Sequence, residues 1–160
     1  MVSKAFVDTE IWVLAKKKPV REKFRSQSDY ERALKIHEGC RRFFEKDFEN
    51  LRIYMTLHQV AEIFHVLAFR GYKIPLNEAF AIVDSLMKDD SIIKVPILAE
   101  HVIESLIASK ETDIHIWDFL CFVPLKNYVE IIYSLDRHFL EIGKRYGIKV
   151  VNPAQEWLEI

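Results

Sequence analysis

Short apolar runs alternate with amphipathic stretches along the chain. The apolar runs are rich in Val and Ile and predict β-strands at 5–7, 51–55, 92–95, 131–135 and 148–151. Between them, apolar residues recur at helical spacing and predict helices at 11–18, 30–48, 57–70, 75–88, 97–109, 119–125 and 139–146. Pro19, Gly71 and Gly147 follow three of the predicted helices and support their ends.

This alternation predicts an α/β fold with a mostly parallel central sheet of about five strands, covered by helices on both faces. The sequence has no internal repeat, low-complexity tract or linker, and 160 residues suit one well-filled core. We therefore expect a single domain over 1–160. In open parallel sheets, functional sites lie beyond the carboxyl ends of the strands, so Asp8 and Asp136 are expected to be neighbours there.

Four carboxylates, Asp8, Glu62, Asp118 and Asp136, lie at the ends of apolar strands or within otherwise apolar helices. Acids crowded together in such places repel one another and are costly to desolvate, and a shared cation offsets both effects. Mg²⁺ or Mn²⁺ takes oxygen ligands and needs few carboxylates. Such an ion can activate water and neutralise charge on a phosphodiester, so the acids suggest metal-dependent phosphodiester hydrolysis.

Each acid also has a simpler interpretation. Asp8, Asp118 and Asp136 could cap the helices that follow them. Glu62 shares a helical stripe with other polar residues, and such a stripe is usually a solvated face; its other members are His58, Gln59 and His65. His138 is expected to be a surface residue rather than a general base.

The charge balance neither favours nor excludes a nucleic-acid partner. There are 23 Lys plus Arg against 24 Asp plus Glu, so any RNA contact must come from a local basic patch. The candidate residues are Lys16, Lys17, Lys18, Arg21, Lys23, Arg25, Arg41 and Arg42. An ordinary solvated charged surface is an equal alternative for this group.

Three aromatic residues, Trp12, Tyr30 and Trp117, could stack on bases if they are exposed. Most aromatics at helical spacing are core residues, so we expect no more than one of them to do so.

The compartment is expected to be the cytoplasm. The N-terminal residues lack the layout of a signal peptide, and no run approaches the ~18 apolar residues of a membrane helix. Cys40 and Cys121 are far apart and do not suggest a disulfide framework.

Four segments in order resemble the PIN-domain family, and most of all the prokaryotic VapC-type toxins. They are 6–9 (FVDT), 60–63 (VAEI), 116–120 (IWDFL) and 134–139 (SLDRHF), and the resemblance covers essentially the whole chain. It implies a three-layer α/β/α sandwich. It also implies that the four acids hold the Mg²⁺ or Mn²⁺ cofactor, with Thr9 and Ser134 as hydroxyls close to the metal.

The resemblance further implies a metal-dependent endoribonuclease, the toxin of a toxin-antitoxin pair, with an RNA substrate, an antitoxin protein partner and a homodimeric assembly. A housekeeping RNA-processing nuclease and a catalytically silent PIN-like binding module remain alternatives. The helix after Asp118 departs from the family, because it carries bulky residues where small ones are usual. Asp113 is therefore a competing candidate for the third acid.

Overall fold

Five parallel strands form one sheet in the computed structural model, which describes residues 2–158. The strands are β1 (Ser3–Val7), β2 (Leu51–Thr56), β3 (Ile92–Val95), β4 (Ile131–Tyr133) and β5 (Lys149–Val151), in the spatial order β3-β2-β1-β4-β5. Every neighbouring pair is parallel, which confirms the sheet predicted from the sequence.

The helices are α1 (Thr9–Lys16), α2 (Gln27–Arg42), α3 (Leu57–Phe69), α4 (Leu76–Lys88), α5 (Ala99–Thr112), α6 (Ile116–Phe122) and α7 (His138–Tyr146). Short turns of 3₁₀-helix cover Arg21–Lys23, Phe48–Asn50 and Val123–Leu125. Among the helices of residues 2–158, none combines the length and the apolar composition that a membrane span needs.

Alternate side chains of the strands enter two separate cores, one on each face of the sheet. Ala5 and Val7 of β1 belong to the core that also receives residues of α1 to α4. Phe6, between them, belongs to the core built with residues of α5, α6 and α7. The molecule is therefore a three-layer α/β/α sandwich, as expected.

The register of the central strands brings their carboxyl ends together. Val7 at the end of β1 pairs with Tyr133 at the end of β4. One residue beyond, the Asp8 amide donates to the Tyr133 carbonyl at 2.9 Å. The side chains that follow β1 and β4 therefore meet at one edge of the sheet, where the site was expected.

The predicted helix 30–48 is wrong at both ends. It begins at Gln27, because the Ser26 hydroxyl accepts a hydrogen bond from the Asp29 amide and caps it. It gives way to a π-helical turn at Phe43–Asp47, in which the Phe48 amide donates to the Phe43 carbonyl. The wider turn lets Phe43, Phe44 and Phe48 pack against one another, with ring centroids 5.1–6.5 Å apart.

The helix that carries Asp118 begins three residues earlier than predicted, so Asp118 lies in its first turn rather than before it. It ends at Phe122 and continues as a 3₁₀ turn containing Pro124. Proline has no backbone N–H to donate to the carbonyl four residues back, which explains the change of helix type.

Replacing Phe6 with alanine is expected to lower the free energy of unfolding by about 3–5 kcal/mol, because it leaves a cavity in a filled core. The Phe6 ring is fully buried, 6.1 Å from the Phe122 ring and 5.6 Å from the Phe139 ring. Leu140 is 45% exposed on the same helix as Phe139 and provides the control. Chemical denaturation should show a loss below about 1 kcal/mol for Leu140→Ala, and equal losses would contradict the packing described.

Candidate metal centre

Asp8 and Asp136 are connected through one hydroxyl group. Asp8 is buried directly after β1, where its Oδ1 accepts from the Thr9 amide at 2.8 Å and caps α1. Its Oδ2 accepts from the Ser134 hydroxyl at 2.8 Å. The same hydroxyl accepts from the Asp136 amide at 3.0 Å. Ser134 is fully buried and thus fixes both acids across the ends of β1 and β4.

The start of α3 is attached to the end of β1 by Gln59, which is fully buried. Its amide group donates to the Val7 carbonyl at 2.7 Å and lies 3.4 Å from the Thr9 hydroxyl. Its backbone N–H donates to the Thr56 hydroxyl, the cap of α3. These bonds hold the helix turn that carries Glu62 beside Asp8. The alternative of a fully solvated stripe therefore does not hold for Gln59, although His65 on that stripe is exposed.

Helix α6 contributes two side chains to the site. The Cys121 thiol donates to Glu62 Oε2 at 3.7 Å, and His58 Nε2 lies 3.5 Å from the same oxygen. One turn earlier on α6, Asp118 Oδ2 lies 3.7 Å from His138 Nδ1. Glu62 and Asp118 are therefore brought to the site by the packing of α6 against α3 and the sheet.

His138 lies between Asp118 and Asp136. Its Nδ1 is 3.7 Å from Asp118 Oδ2 and 3.6 Å from Asp136 Oδ1, while its backbone N–H donates to Asp136 Oδ1 at 2.8 Å. The His138 side chain is 29% exposed, but its Nδ1 atom is buried and faces the two acids.

The electrostatics show that the four acids share one environment. Burial raises the pKa of Asp8 to about 8; the charges of Glu10, Asp136 and Glu62 add to the rise, and the bond from Ser134 opposes it. Burial also raises the pKa of Asp118 to about 9, with the charges of Asp8, Asp136 and Glu62 adding to it. Asp8 and Asp118 therefore favour their protonated forms at neutral pH unless positive charge is supplied.

The pKa of Glu62 is shifted in the opposite direction, below its ordinary value. Burial acts to raise the pKa of Glu62, but its interactions with the side chains of His58, Thr9 and Cys121 outweigh burial, so the pKa lies below its ordinary value. Glu62 therefore keeps its charge beside two acids that resist ionisation.

The donor set fits a hard divalent cation. Asp118 Oδ2 is buried and has no hydrogen-bond partner among residues 2–158. Buried polar atoms of this kind are rare and usually have an ion or a water as their partner. Carboxylate oxygens are the ligands that Mg²⁺ and Mn²⁺ prefer. The assignment of Asp8, Glu62, Asp118 and Asp136 as metal ligands remains a prediction.

Asp113, the competing third acid, lies outside this cluster. It ends α5 in a left-handed backbone conformation, with φ +62°, and its side chain is exposed. The position of Asp118 thus favours it over Asp113 as the third acid.

Glu10 is a fifth acid at the edge of the cluster, and the sequence did not single it out. Burial raises its pKa together with the charges of Glu62 and Asp136, while Arg70 and Lys17 act against the rise. An acidic residue in the first turn of a helix ordinarily complements the helix dipole, so the sequence carried no distinguishing signal.

Two residues proposed as RNA contacts are structural. Lys17 is buried and its ammonium donates to the carbonyls of Val66 and Arg70, at 2.7 and 2.8 Å, at the end of α3. Trp12 is buried too, and its indole N–H donates to the Val7 carbonyl at 3.0 Å. The burial of Trp12 agrees with the expectation that most of the aromatic candidates are core residues, whereas the burial of Lys17 removes it from the candidate RNA contacts.

Trp117 is the aromatic candidate that lies exposed beside the acids. It is 56% exposed and precedes Asp118 on α6. Its ring stacks on that of His58, with centroids 5.8 Å apart and planes at 11°. Tyr30, by comparison, packs on Phe24 with centroids 5.8 Å apart.

Comparison with known proteins supports the fold. No model of a known protein family matches the chain, and no curated protein matches its sequence. Among solved structures, the chain is similar to Mycobacterium tuberculosis VapC20, described as a sarcin-ricin loop cleaving toxin. The two share 16% sequence identity at a TM-score of 0.59, over 87% of this chain and 95% of that chain. At this identity the likeness concerns the fold, which is the PIN-like α/β/α sandwich predicted from the sequence.

The metal-free protein should lose stability as the pH rises from about 5 to about 8. Asp8 and Asp118 have raised pKa values in the folded state, so the unfolded chain releases their protons first and is favoured as the pH rises. Asp8→Asn removes one such group, and its thermal unfolding in chelator should depend less on pH. Asp113→Asn suits a left-handed position and should leave the wild-type slope unchanged. An unaltered slope in Asp8→Asn would contradict this account.

Proposed function

We propose that this protein is a divalent-metal-dependent endoribonuclease that hydrolyses RNA phosphodiester bonds. The observation that carries the proposal is the convergence of Asp8, Glu62, Asp118 and Asp136 at the carboxyl edge of a PIN-like sheet. Two of these acids resist ionisation without added positive charge. A bound cation would stabilise the ionised form of these carboxylates and would explain why they are crowded together.

The four acids would hold Mg²⁺ or Mn²⁺, with Thr9 and Ser134 as supporting hydroxyls. A bound cation of this type activates water and neutralises charge on a phosphodiester. Ser134 keeps Asp8 Oδ2 oriented through its donated hydrogen bond. Glu62, ionised at neutral pH because of its own hydrogen bonds, can accept a hydrogen bond from a water molecule in the site.

The RNA strand would be positioned by the exposed members of the basic group and by Trp117. The exposed members are Lys16, Lys18, Arg21, Lys23, Arg25, Arg41 and Arg42. Such residues position a strand through its phosphates without reading its sequence. Trp117 offers one free ring face next to the acids, where a base can stack.

We also propose that the protein is the toxin of a toxin-antitoxin pair, cytoplasmic, homodimeric and inhibited by an antitoxin protein. The fold similarity to VapC20 supports this part of the proposal. Helices α4 and α5 expose large apolar residues that a protein partner could cover, namely Leu76, Phe80, Met87, Ile103, Leu106 and Ile107.

The decisive experiment incubates the purified protein with a mixed single-stranded RNA pool in Mn²⁺, Mg²⁺ or chelator. Cleavage should require the metal, and Asp8→Asn and Asp118→Asn should each reduce the rate by about 100-fold or more, as expected for loss of a ligand. Asp113→Asn should cleave at the wild-type rate.

The alternatives give different results. Cleavage that survives Asp118→Asn but not Asp113→Asn would transfer the third position to Asp113. Folded protein without cleavage of the pool or of ribosomal RNA in any metal would contradict the nuclease proposal and favour a silent binding module.

Trp117→Ala should weaken RNA binding by about tenfold, within the 1–3 kcal/mol that base stacking contributes. Binding of a labelled single-stranded RNA is measured in the Asp8→Asn background, so that cleavage does not interfere. Phe80 is 62% exposed on α4, across the sheet from α6, and Phe80→Ala should bind RNA normally. Equal effects of the two substitutions would remove Trp117 from the RNA path.

A further inference from the structure

Two histidine nitrogen atoms lie beside one carboxylate oxygen of the acid cluster. His115 Nε2 is 3.5 Å from Asp118 Oδ2, and His138 Nδ1 is 3.7 Å from the same oxygen. All three atoms lie within 4.8 Å of one another. His115 precedes α6 and His138 begins α7, so two separate helix starts deliver the imidazoles to one carboxylate.

We propose that His115, Asp118 and His138 form a binding site for Zn²⁺ or a similar transition-metal ion, distinct in donor chemistry from the acid cluster. Imidazole nitrogen is a preferred ligand of Zn²⁺, whereas Mg²⁺ selects oxygen. Two histidines and one carboxylate are three protein ligands, the number found in zinc sites that keep an open position.

The spacing of the atoms suits a tetrahedral ion. Metal–ligand distances of about 2.0–2.2 Å place neighbouring ligand atoms of a tetrahedron roughly 3.3–3.6 Å apart. The separations of 3.5 and 3.7 Å around Asp118 Oδ2 are close to this range. Small side-chain rotations would close the remaining difference. Asp136 Oδ1, 3.6 Å from His138 Nδ1, is a candidate for the fourth position.

Two of the three donor atoms are buried without a hydrogen bond in the part of the chain that the structure describes. Asp118 Oδ2 and His138 Nδ1 are both buried, and neither makes a hydrogen bond within residues 2–158. Polar atoms in this situation usually contact an ion or a water. The His115 side chain is 52% exposed, so an ion can reach the site from solvent.

A second group of possible ligands, His58, Glu62 and Cys121, is less suited to an ion. Its thiol already donates to Glu62, and burial raises the pKa of Cys121 well above its ordinary value. Metal binding requires the thiolate, which this environment disfavours. The histidine pair around Asp118 needs no such deprotonation of a buried thiol.

Asp118 belongs to both sites, so their occupants should compete. An ion held by the two histidines withdraws Asp118 from the acid cluster. Zn²⁺ should therefore inhibit cleavage supported by Mn²⁺, a consequence that rests on the proposed nuclease function. The binding of Zn²⁺ itself does not depend on that function.

The test is a titration of chelator-treated protein with Co²⁺, which reports tetrahedral coordination by its visible absorption, followed by displacement with Zn²⁺. The wild type should bind one equivalent in tetrahedral form, and Zn²⁺ should displace it. His115→Ala combined with His138→Ala should abolish the absorption, and His115→Ala alone should weaken binding about tenfold or more. Asp8→Asn and His58→Ala should retain the tetrahedral spectrum, because neither residue belongs to the proposed site.

Two results would overturn the proposal. One is a Co²⁺ affinity of the double histidine variant equal to that of the wild type. The other is a tetrahedral spectrum that is lost in Asp8→Asn or His58→Ala but kept in the histidine variants. If the double variant does not fold, His115→Ala decides alone, because the His115 ring is half exposed and makes no capping hydrogen bond to α6. Since the titration contains no RNA, a protein that binds Zn²⁺ but cleaves nothing would support this site and contradict only the nuclease.

Discussion

The site depends on the parallel pairing of β1 with β4, because that pairing places Asp8 beside Ser134. The hydrogen bond from the Ser134 hydroxyl to Asp8 Oδ2 then fixes a buried carboxylate at the carboxyl edge of the sheet. Burial raises the pKa of that carboxylate to about 8. Two other acids are positioned relative to Asp8: Asp136 through the same hydroxyl, and Glu62 through the bonds of Gln59 to the end of β1. The fold thus concentrates negative charge that only protons or cations can relieve.

The sequence predicted the parts of this arrangement that have local signals. Strands β1 and β4 are short Val- and Ile-rich runs, and the acids that follow them come together because parallel strands share a carboxyl edge. Glu62 and Asp118 were singled out as acids in apolar surroundings, but no local pattern gives the direction of their side chains, and only the family resemblance assigned them to one site with Asp8 and Asp136. The register of β1 with β4 brings Asp8 and Asp136 close, and the capping role proposed for Asp8 proved compatible with its place in the cluster.

Residues whose role depends on distant packing could not be predicted. Lys17 was a candidate RNA contact and Gln59 belonged to a stripe that could have been solvated, yet each is buried where it satisfies a backbone carbonyl of another element. Glu10 has the sequence signal of an ordinary first-turn acid, and its proximity to Glu62 and Asp136 appears only in the folded chain. The π-helical turn at Phe43–Asp47 likewise follows from the aromatic packing around Trp12, because intrinsic helix preference would continue the α-helix.

The surroundings of Asp118 distinguish this chain from a site made of carboxylates alone. A purely acidic cluster offers oxygen ligands and therefore selects hard cations by charge and cavity size. Here two imidazoles approach one of those oxygens within 3.7 Å, so the same carboxylate can be shared between two kinds of coordination. The affinity of nitrogen-containing sites for metal ions rises steeply from Mn²⁺ towards Zn²⁺. A small amount of Zn²⁺ can therefore compete with a large excess of Mn²⁺. The identity of the bound ion would then depend on metal availability as much as on the positions of the four acids.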